Sequence, residues 1–398
     1  MWPQILPGGE TVIFTAYNAD GRAASHVDAV SLKSGERRTL VSGATVGRFV
    51  PAGYLIYQQG NSLMAAPFDP VRLKVTGAAV PVVERFLGHQ YNVGASGSLA
   101  YVPGSSDWEA TLTVMDRKGT AKPLPAPVRQ YAGVRISPDG NRLAVRIGED
   151  NGDVWIFDLL RETLTRLTYE GAYNARWMKD GKRISYALRK DGARRFFWKN
   201  VDGSGREEEF LKGEISINSW SPDGDHLVLQ EKSYSSRSDD LWVYSTKDKK
   251  RQPFVQTPFN EYNAQFSPDG RWLAYDSLES GQSEVYVQPF SGSGGKWQVS
   301  RANGCCAVWD QSGKELFYLQ DESKMMVVDI TTSPDFQTGK PRLLFEIADL
   351  IDYDVTPDGQ QFIVVRQKKK EAVAMQINLV LNWFDELKRR VPSATNNP

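Results

Sequence analysis

A short turn motif recurs along this chain of 398 residues at an almost constant interval. The tetrapeptide Ser-Pro-Asp-Gly occurs at Ser137–Gly140, Ser221–Gly224 and Ser267–Gly270. Relaxed versions extend the series, and its last residue falls at Gly9, Gly53, Gly97, Gly140, Gly181, Gly224, Gly270, Gly313 and Gly359. Successive glycines are 41 to 46 residues apart. A period of this length indicates a stack of identical supersecondary units rather than an irregular fold.

The residues that flank each motif predict strands on both sides of a tight turn. Ala175-Arg176-Trp177 precedes one turn, and the alternating segment Arg183–Tyr186 follows it. Proline presets the turn, and Asp-Gly supplies its left-handed positions. A third strand carries a recurrent aromatic residue, as at Trp155, Trp198 and Trp242, and a fourth strand completes the unit. Four antiparallel strands per repeat are typical of a propeller blade.

The fold class predicted is therefore all-β, a single β-propeller of eight to nine four-stranded antiparallel blades. No break in composition divides the chain, so residues 1–391 are expected to form one domain. The segment from Asn382 to Arg390 predicts a short helix with Trp383, Phe384 and Leu387 on one side. Residues 392–398 are expected to be a disordered tail.

With this period and motif, the chain resembles the TolB-like propeller family, most closely over residues 131–300. More narrowly, it is similar to the propeller that follows a bacterial serine/threonine kinase domain, through segments such as Ala66-Pro67-Phe68-Asp69 and Gly295–Ser300. The resemblance implies an extracytoplasmic, periplasmic sensor or interaction domain. We expect no signal peptide at the start of this chain, and whether it is a fragment of a membrane-anchored kinase stays open.

Charge and hydropathy exclude two classes of partner. Lysine plus arginine and aspartate plus glutamate both number 48, so the formal net charge is zero and no basic stripe predicts nucleic-acid binding. No apolar run approaches the roughly 18 residues of a membrane-spanning helix. We therefore expect neither a nucleic-acid partner nor membrane insertion by this chain.

Signatures of catalysis are missing from the sequence. It contains no Gly-x-Ser-x-Gly elbow, no P-loop and no His-Glu-x-x-His motif. The three histidines, His26, His89 and His226, occupy unrelated places in their repeats, and the two cysteines, Cys305 and Cys306, are adjacent. No catalytic residue, metal site or cofactor is predicted. For the cysteines, one buried side chain at a strand start is the simplest interpretation, and a vicinal redox switch is the alternative.

The segment that enters each first strand offers the best candidate site. The pattern Tyr-Asn-Ala-[Arg/Gln]-aromatic occurs at Tyr173–Trp177 and Tyr262–Phe266. Phenols and amides around a channel mouth suit a polar ligand or peptide. The alternative is structural, with tyrosines covering the channel and asparagines ending strands. The predicted ligand-binding residues are Tyr173, Asn174, Asn218, Tyr262, Asn263, Asp352 and Tyr353.

These observations favour a non-catalytic propeller that binds a protein, a peptide or a small polar ligand as a sensor or interaction scaffold. The alternative is a hydrolase or lyase whose active site lies at the central channel, because a propeller fold does not decide function.

Overall fold

A computed structural model describes residues 3–16, 25–60, 62–84, 86–103, 108–148, 152–190, 193–232, 238–290, 294–332, 335–368 and 377–391. Contacts between Cα atoms divide the chain into two compact units. The first consists of Met1–Trp108 and Lys370–Pro398, and the second of Glu109–Lys369. The chain thus leaves the first unit once and returns to it at the end.

The first unit begins with antiparallel hairpins. Its strands are β1 (Gln4–Ile5), β2 (Thr11–Ala16), β3 (His26–Ser31), β4 (Arg37–Ser42), β5 (Thr45–Val50), β6 (Tyr54–Gln59), β7 (Ser62–Asp69), β8 (Lys74–Val75), β9 (Val80–Glu84), β10 (Phe86–Val93) and β11 (Leu99–Pro103). One sheet has the order β1-β2-β3-β4 and a second has β5-β6-β7-β8, with β9 also pairing β7. Ile13, Val27 and Leu55 have no exposed surface and join the two sheets through one apolar cluster.

The second unit consists of twenty-five strands in its described part. They are β12 (Ala110–Asp116), β13 (Ala121–Pro123), β14 (Tyr131–Ile136), β15 (Arg142–Ile147), β16 (Asp153–Asp158), β17 (Thr163–Arg166), β18 (Tyr173–Trp177), β19 (Arg183–Lys190), β20 (Ala193–Asn200), β21 (Glu208–Lys212), β22 (Ile215–Trp220), β23 (His226–Lys232), β24 (Asp239–Ser245), β25 (Lys250–Val255), β26 (Glu261–Phe266), β27 (Trp272–Ser277), β28 (Glu284–Pro289), β29 (Trp297–Gln298), β30 (Gly304–Trp309), β31 (Glu315–Gln320), β32 (Lys324–Thr331), β33 (Gln337–Thr338), β34 (Arg342–Glu346), β35 (Leu350–Val355) and β36 (Gln361–Gln367).

These strands form six antiparallel sheets in the described part of the unit. Four follow the chain as β14-β15-β16-β17, β18-β19-β20-β21, β22-β23-β24-β25 and β26-β27-β28-β29. The fifth has the order β30-β31-β32-β33, with β34 also pairing β32. The sixth joins both ends of the unit in the order β13-β12-β36-β35, with Ala110 opposite Gln367 and Asp116 opposite Gln361. One edge strand of each sheet faces its counterparts: β14, β18, β22, β26, β30 and β35 contact one another in this order, and β35 contacts β14, so the ring is closed.

The all-β propeller fold of four-stranded blades is confirmed, whereas the count of eight to nine blades in one ring is not. Six sheets close a ring within the described part of the second unit because β12 pairs β36 rather than continuing the repeat series. The repeat period counts hairpins, and it does not record which strands pair across the ends of a ring.

Stacking of the sheets explains the apolar character of their middle strands. In β15, Leu143, Ala144 and Val145 are all buried, although alternate side chains point to opposite faces. Both faces are covered because each sheet packs between two others. Tyr186 and Val154, which belong to successive sheets, share one such apolar cluster.

The chain ends in the first unit. Strand β37 (Asn378–Val380) pairs β11, and helix α1 (Trp383–Arg390) follows it. Trp383 and Leu387 are buried in an apolar cluster with Tyr54 and Tyr91, and Phe384 packs against it. The predicted helix is confirmed. The predicted tail at 392–398 lies outside the described residues. No described helix has the length and apolar character needed to cross a bilayer.

Candidate functional site

The innermost strands of the six sheets surround the axis of the second unit, and a break in pairing register interrupts each of them. The shifts lie between Tyr131 and Gly133, Tyr173 and Arg176, Ile217 and Ser219, Tyr262 and Gln265, Cys305 and Val308, and Leu350 and Asp352. Asn174, Asn263 and Cys306 adopt left-handed backbone conformations there, with φ of 59°, 54° and 64°. Asparagine tolerates this conformation better than most residues. Bulges of this kind redirect side chains and are common beside functional sites.

A cavity of about 80 Å³ lies among these strands. Every sheet of the ring contributes to its lining, which consists of Arg135, Arg176, Asn218, Asn263, Ala264, Gln265, Cys306, Ala307, Val308, Asp352 and Tyr353. A recess of about 130 Å³ shares Arg135, Arg176 and Asp352 with it and also touches Asn174. The cavity alone has room for roughly two or three water molecules. It therefore fits one small polar group rather than a whole drug-sized ligand. We call Arg135, Arg176, Asn218, Asn263, Cys306 and Asp352 the channel site.

Arg135 and Asp352 form an ion pair across neighbouring sheets. The Nη1 of Arg135 lies 2.7 Å from Oδ2 of Asp352, which also accepts a hydrogen bond of 3.0 Å from the backbone N–H of Val134. Two residues further along both strands, Oδ2 of Asp354 accepts from the backbone N–H of Ile136 at 2.8 Å. Both carboxylates of β35 are thus engaged by β14.

Arg176 is bound differently. Its Nε donates to the carbonyl of Asn218 at 2.5 Å and its Nη1 to the carbonyl of Ala175 at 3.0 Å. Among the residues that the structure describes, it forms no salt bridge. Burial and the positive charge of Arg135 lower the pKa of Arg176 to about 9, although the charges of Asp352 and Asp354 act in the opposite direction. The channel site thus holds a partly buried cation with carbonyl partners but no carboxylate in contact.

A buried carboxyl group lies behind the channel site. Asp276 of β27 accepts hydrogen bonds at its Oδ2 from Asn263 Nδ2 and from the backbone N–H of Cys306, both at 2.8 Å. Burial raises the pKa of Asp276 to about 7. The hydroxyl of Tyr353 donates to the carbonyl of Cys306 at 2.6 Å. These contacts fix the backbone and side chains of one wall of the cavity.

The structure brings some of the predicted site residues together and separates others. Asn218, Asn263, Asp352 and Tyr353 line the cavity, and Asn174 lines the adjoining recess. Tyr173 lies outside both, with the guanidinium of Arg194 over its ring at 5.9 Å. Tyr262 lies outside them too and donates to Ser283 Oγ at 2.9 Å. A role of these residues in ligand binding stays a prediction.

Sequence reasoning missed the two arginines and the buried Asp276. Arg135 and Arg176 directly precede the residue before the turn, so their place in the repeat was a usable signal. No sequence pattern predicted a role for Asp276, because it lies in β27, a second strand of its repeat whose pattern is mostly apolar.

The described lining of the cavity holds neither histidine nor serine. His226 packs its ring edge-on against Phe290 at 5.2 Å, and the side chain of His89 lies outside the described residues. The enzymatic alternative thus gains no support from this lining and stays a prediction.

Comparison with known proteins supports the TolB-like propeller fold. The chain is 26% identical over 115 residues to the Tol-Pal system protein TolB of Anaeromyxobacter dehalogenans strain 2CP-C, a match that covers 29% of this chain and 26% of that protein. The chain thus spans about a quarter of that relative's length. A protein of Agrobacterium tumefaciens assigned provisionally to TolB superposes with a TM-score of 0.55 at 14% identity, over 67% of this chain and all of that one.

Two further results complete the comparison. TolB of Acinetobacter baumannii gives a TM-score of 0.46 at 13% identity, over 72% of this chain and 80% of that one. No protein-family profile matches the chain. The narrower link to kinase-associated propellers stays a prediction.

Proposed function

We propose that this chain, which carries a TolB-like β-propeller, is a non-catalytic binding module whose channel site holds an anionic group. The ligand would be a carboxylate-bearing peptide, a segment of a partner protein or a small polar acid. The resemblance to TolB proteins supports an extracytoplasmic place of action as part of the same proposal.

The observation that carries the proposal is the bonding of Arg176. A partly buried guanidinium whose hydrogen bonds go only to backbone carbonyls has no carboxylate in direct contact to offset its desolvation. The buried Nε of Arg135 also has no hydrogen-bond partner among the described residues. A carboxylate in the cavity would supply charge-assisted hydrogen bonds to such donors, and these are about twice as strong as neutral ones.

The amides of the channel site suit the rest of a peptide ligand. Asn218 lines the cavity beside Arg176, and its Nδ2 is buried without a hydrogen-bond partner among the described residues. Leaving a buried donor unpaired costs about 1–3 kcal/mol, which an accepting ligand oxygen would recover. The cavity thus offers cationic and neutral donors, and this combination favours an acidic, oxygen-rich ligand.

Thermal unfolding with ligands present tests this proposal. We expect acidic peptides or small di- and tricarboxylates to raise Tm, and neutral analogues to leave it unchanged. Binding at 100 times Kd adds about 2.7 kcal/mol to the free energy of unfolding. Arg176→Gln should weaken binding about tenfold or more, because a hydrogen bond to a charged group contributes about 1.5–3 kcal/mol. Arg161→Gln is the matched control, since the Arg161 side chain is 81% exposed.

Two results would contradict the proposal. One is an Arg176→Gln protein that is folded and binds the same acid with unchanged affinity. The other is a protein that only neutral or cationic ligands stabilise. If Arg176→Gln does not fold, Arg176→Lys keeps the charge but loses the planar fork, and it should still lower affinity for a carboxylate.

A further inference from the structure

The two adjacent cysteines present their sulfur atoms on the same side of a strand. Successive side chains of a regular strand point to opposite faces. In β30 the bulge after Cys305 and the left-handed backbone of Cys306 abolish this alternation. Both cysteines are free, and their Sγ atoms are 2.7 Å apart. A left-handed cysteine carries a steric cost that a glycine or asparagine at this position would reduce.

A buried carboxylate oxygen completes a three-atom cluster. Asp276 has no exposed surface, and only its Oδ2 is hydrogen-bonded. Its Oδ1 is buried and has no partner among the described residues. Ligand atoms from Asp276, Cys305 and Cys306 all lie within 4.8 Å of one another. An unpartnered buried carboxylate oxygen is costly unless something binds to it.

We propose that Cys305 Sγ, Cys306 Sγ and the carboxylate of Asp276 bind one thiophilic divalent cation of the zinc class. Two thiolates and one carboxylate match the ligand preferences of zinc, whereas magnesium and calcium prefer all-oxygen sites. Cys306 lines the cavity, so water from the channel can take a fourth position. This inference goes beyond the proposed function: it shares Cys306 with the channel site, but neither Arg135 nor Arg176 takes part in it, so Arg176→Gln tests the anion site and leaves the metal ligands in place.

Metal binding at this site requires small side-chain movements and the loss of protons. Two Zn–S bonds of about 2.3 Å in tetrahedral geometry place the sulfur atoms about 3.8 Å apart, so the thiols must separate from their present contact. Each thiol releases its proton to solvent as it becomes a ligand. Asn263 already supports the cluster, because its Nδ2 lies 2.8 Å from Asp276 Oδ2 and 3.6 Å from Cys306 Sγ. Such outer contacts orient metal ligands.

The predicted absence of a metal site followed from sequence spacing alone. Adjacent cysteines do not match a zinc-binding pattern. The third ligand lies 30 residues before Cys306, on a strand of the neighbouring sheet. Only the packing of β27 against β30 brings these groups together.

Titration with Co²⁺ as a spectroscopic probe tests the site. The full chain is first reduced, treated with a chelator and freed of both reagents without oxygen. We expect one Co²⁺ per chain, with a thiolate-to-metal charge-transfer band and the ligand-field bands of tetrahedral cobalt. Added Zn²⁺ should displace it, and Mg²⁺ should not. Cys306→Ser should lower the charge-transfer intensity to that of one thiolate or less, and Asp276→Asn should lower affinity at least about tenfold.

Asp153→Asn is the matched control for Asp276→Asn, because Asp153 is also buried but is paired with Arg166. This variant should bind Co²⁺ like the unmodified chain. The proposal fails if the reduced, folded protein gives no charge-transfer band, or if Cys306→Ser and Asp276→Asn both bind unchanged. It also fails if thiol titration after unfolding finds a stable disulfide that mild reductant does not open. If Asp276→Asn does not fold, Cys305→Ser supplies a second test, because it also removes one proposed ligand.

Discussion

Glu261 is a fully buried carboxyl group whose charge the protein tolerates poorly. Its Oε1 accepts hydrogen bonds from Thr257 and Ser277, while Oε2 has no partner among the described residues. Burial raises the pKa of Glu261 above its ordinary value of 4.5, and the charges of Asp240 and Glu279 raise it further.

Glu261→Gln should therefore change how stability depends on pH. The folded protein holds the Glu261 proton to higher pH than the unfolded chain, so this group's stabilisation is complete below pH 4.5 and is lost as pH rises through its folded pKa. Glutamine does not titrate. Relative to the unmodified chain, the variant should gain free energy of unfolding as pH rises from 4.5 toward neutrality. Urea unfolding at a series of pH values measures this.

Asp153→Asn provides the control of opposite sign. Burial alone would raise the pKa of Asp153, but hydrogen bonds from Arg166 and Thr168 lower it below 3.8. Its stabilisation is thus present above pH 3.8 and lost as pH falls. The asparagine variant should lose stability most at neutral pH.

The result that would contradict the Glu261 prediction is a pH profile of Glu261→Gln that runs parallel to that of the unmodified chain. It would show that burial of Glu261 has no energetic consequence.

At the scale of single residues, sequence patterns identified part of the channel site. Asn263 and Asp352 were predicted because they share a repeat position that precedes a first strand. Tyr173 and Tyr262 were predicted by the same logic, yet they lie outside the cavity. The bulge in each innermost strand decides which of two adjacent side chains faces the channel, and periodicity does not reveal a bulge.

Some turn motifs of the second unit also pack against the turn of the neighbouring sheet in the ring. A methyl group added to Gly270 would lie 3.2 Å from Pro222 Cδ, and one added to Gly140 would lie 3.4 Å from Pro357 Cδ. The hydroxyl of Ser267 and the carboxylate of Asp269 close their own turn at 2.6 Å. The motif therefore serves two purposes, a left-handed turn inside one hairpin and a contact between successive hairpins.

Gly270→Ala should destabilise the protein more than Gly224→Ala. Both glycines have left-handed backbones, with φ of 72° and 76°, so each alanine costs about 1–2 kcal/mol. Only at Gly270 does the new methyl group also meet a neighbouring proline, because nothing lies within 4 Å at Gly224. Denaturant unfolding of both variants measures the difference. Equal losses, or a larger loss at Gly224, would refute a packing role for the proline.

At the scale of elements, the sequence was sufficient for the hairpins, the four-stranded pattern of most sheets and the C-terminal helix. Turn residues and alternating polarity are local signals, so they can be recognised within a single repeat. The extra strands β9 and β34, which pair the third strand of their sheets, were not predicted. Strand β9 shares the edge of β7 with β8, and β34 shares the edge of β32 with β33. A local sequence pattern does not predict that two strands pair with the same edge.

For the whole molecule, the repeat period predicted a propeller, but it did not predict that the chain divides into two compact units. Glu109–Lys369 closes on itself because β12, from the start of the segment, pairs β36, from its end. This pairing buries Leu112 and Val364 in the interior of a four-stranded sheet. The hydrophobic pattern of β12 does not show whether it pairs with β36 or only with strands near it in sequence. Either pairing would bury the same face of β12.

An engineered disulfide between β12 and β36 tests this closure directly. Thr111 lies opposite Arg366 in the ladder, and both are only partly buried. With Cys305 and Cys306 replaced by serine, Thr111→Cys combined with Arg366→Cys should form the cross-link under mild oxidation, as peptide mass spectrometry would show. The bond closes a loop of more than 100 residues, for which the chain-entropy model gives about 4.7 kcal/mol or more, so Tm should rise. Thr111→Cys with Thr163→Cys, on separate sheets, is the control that should stay reduced. Failure of the first pair to cross-link in folded protein would contradict the closed six-sheet ring and the channel site that depends on it.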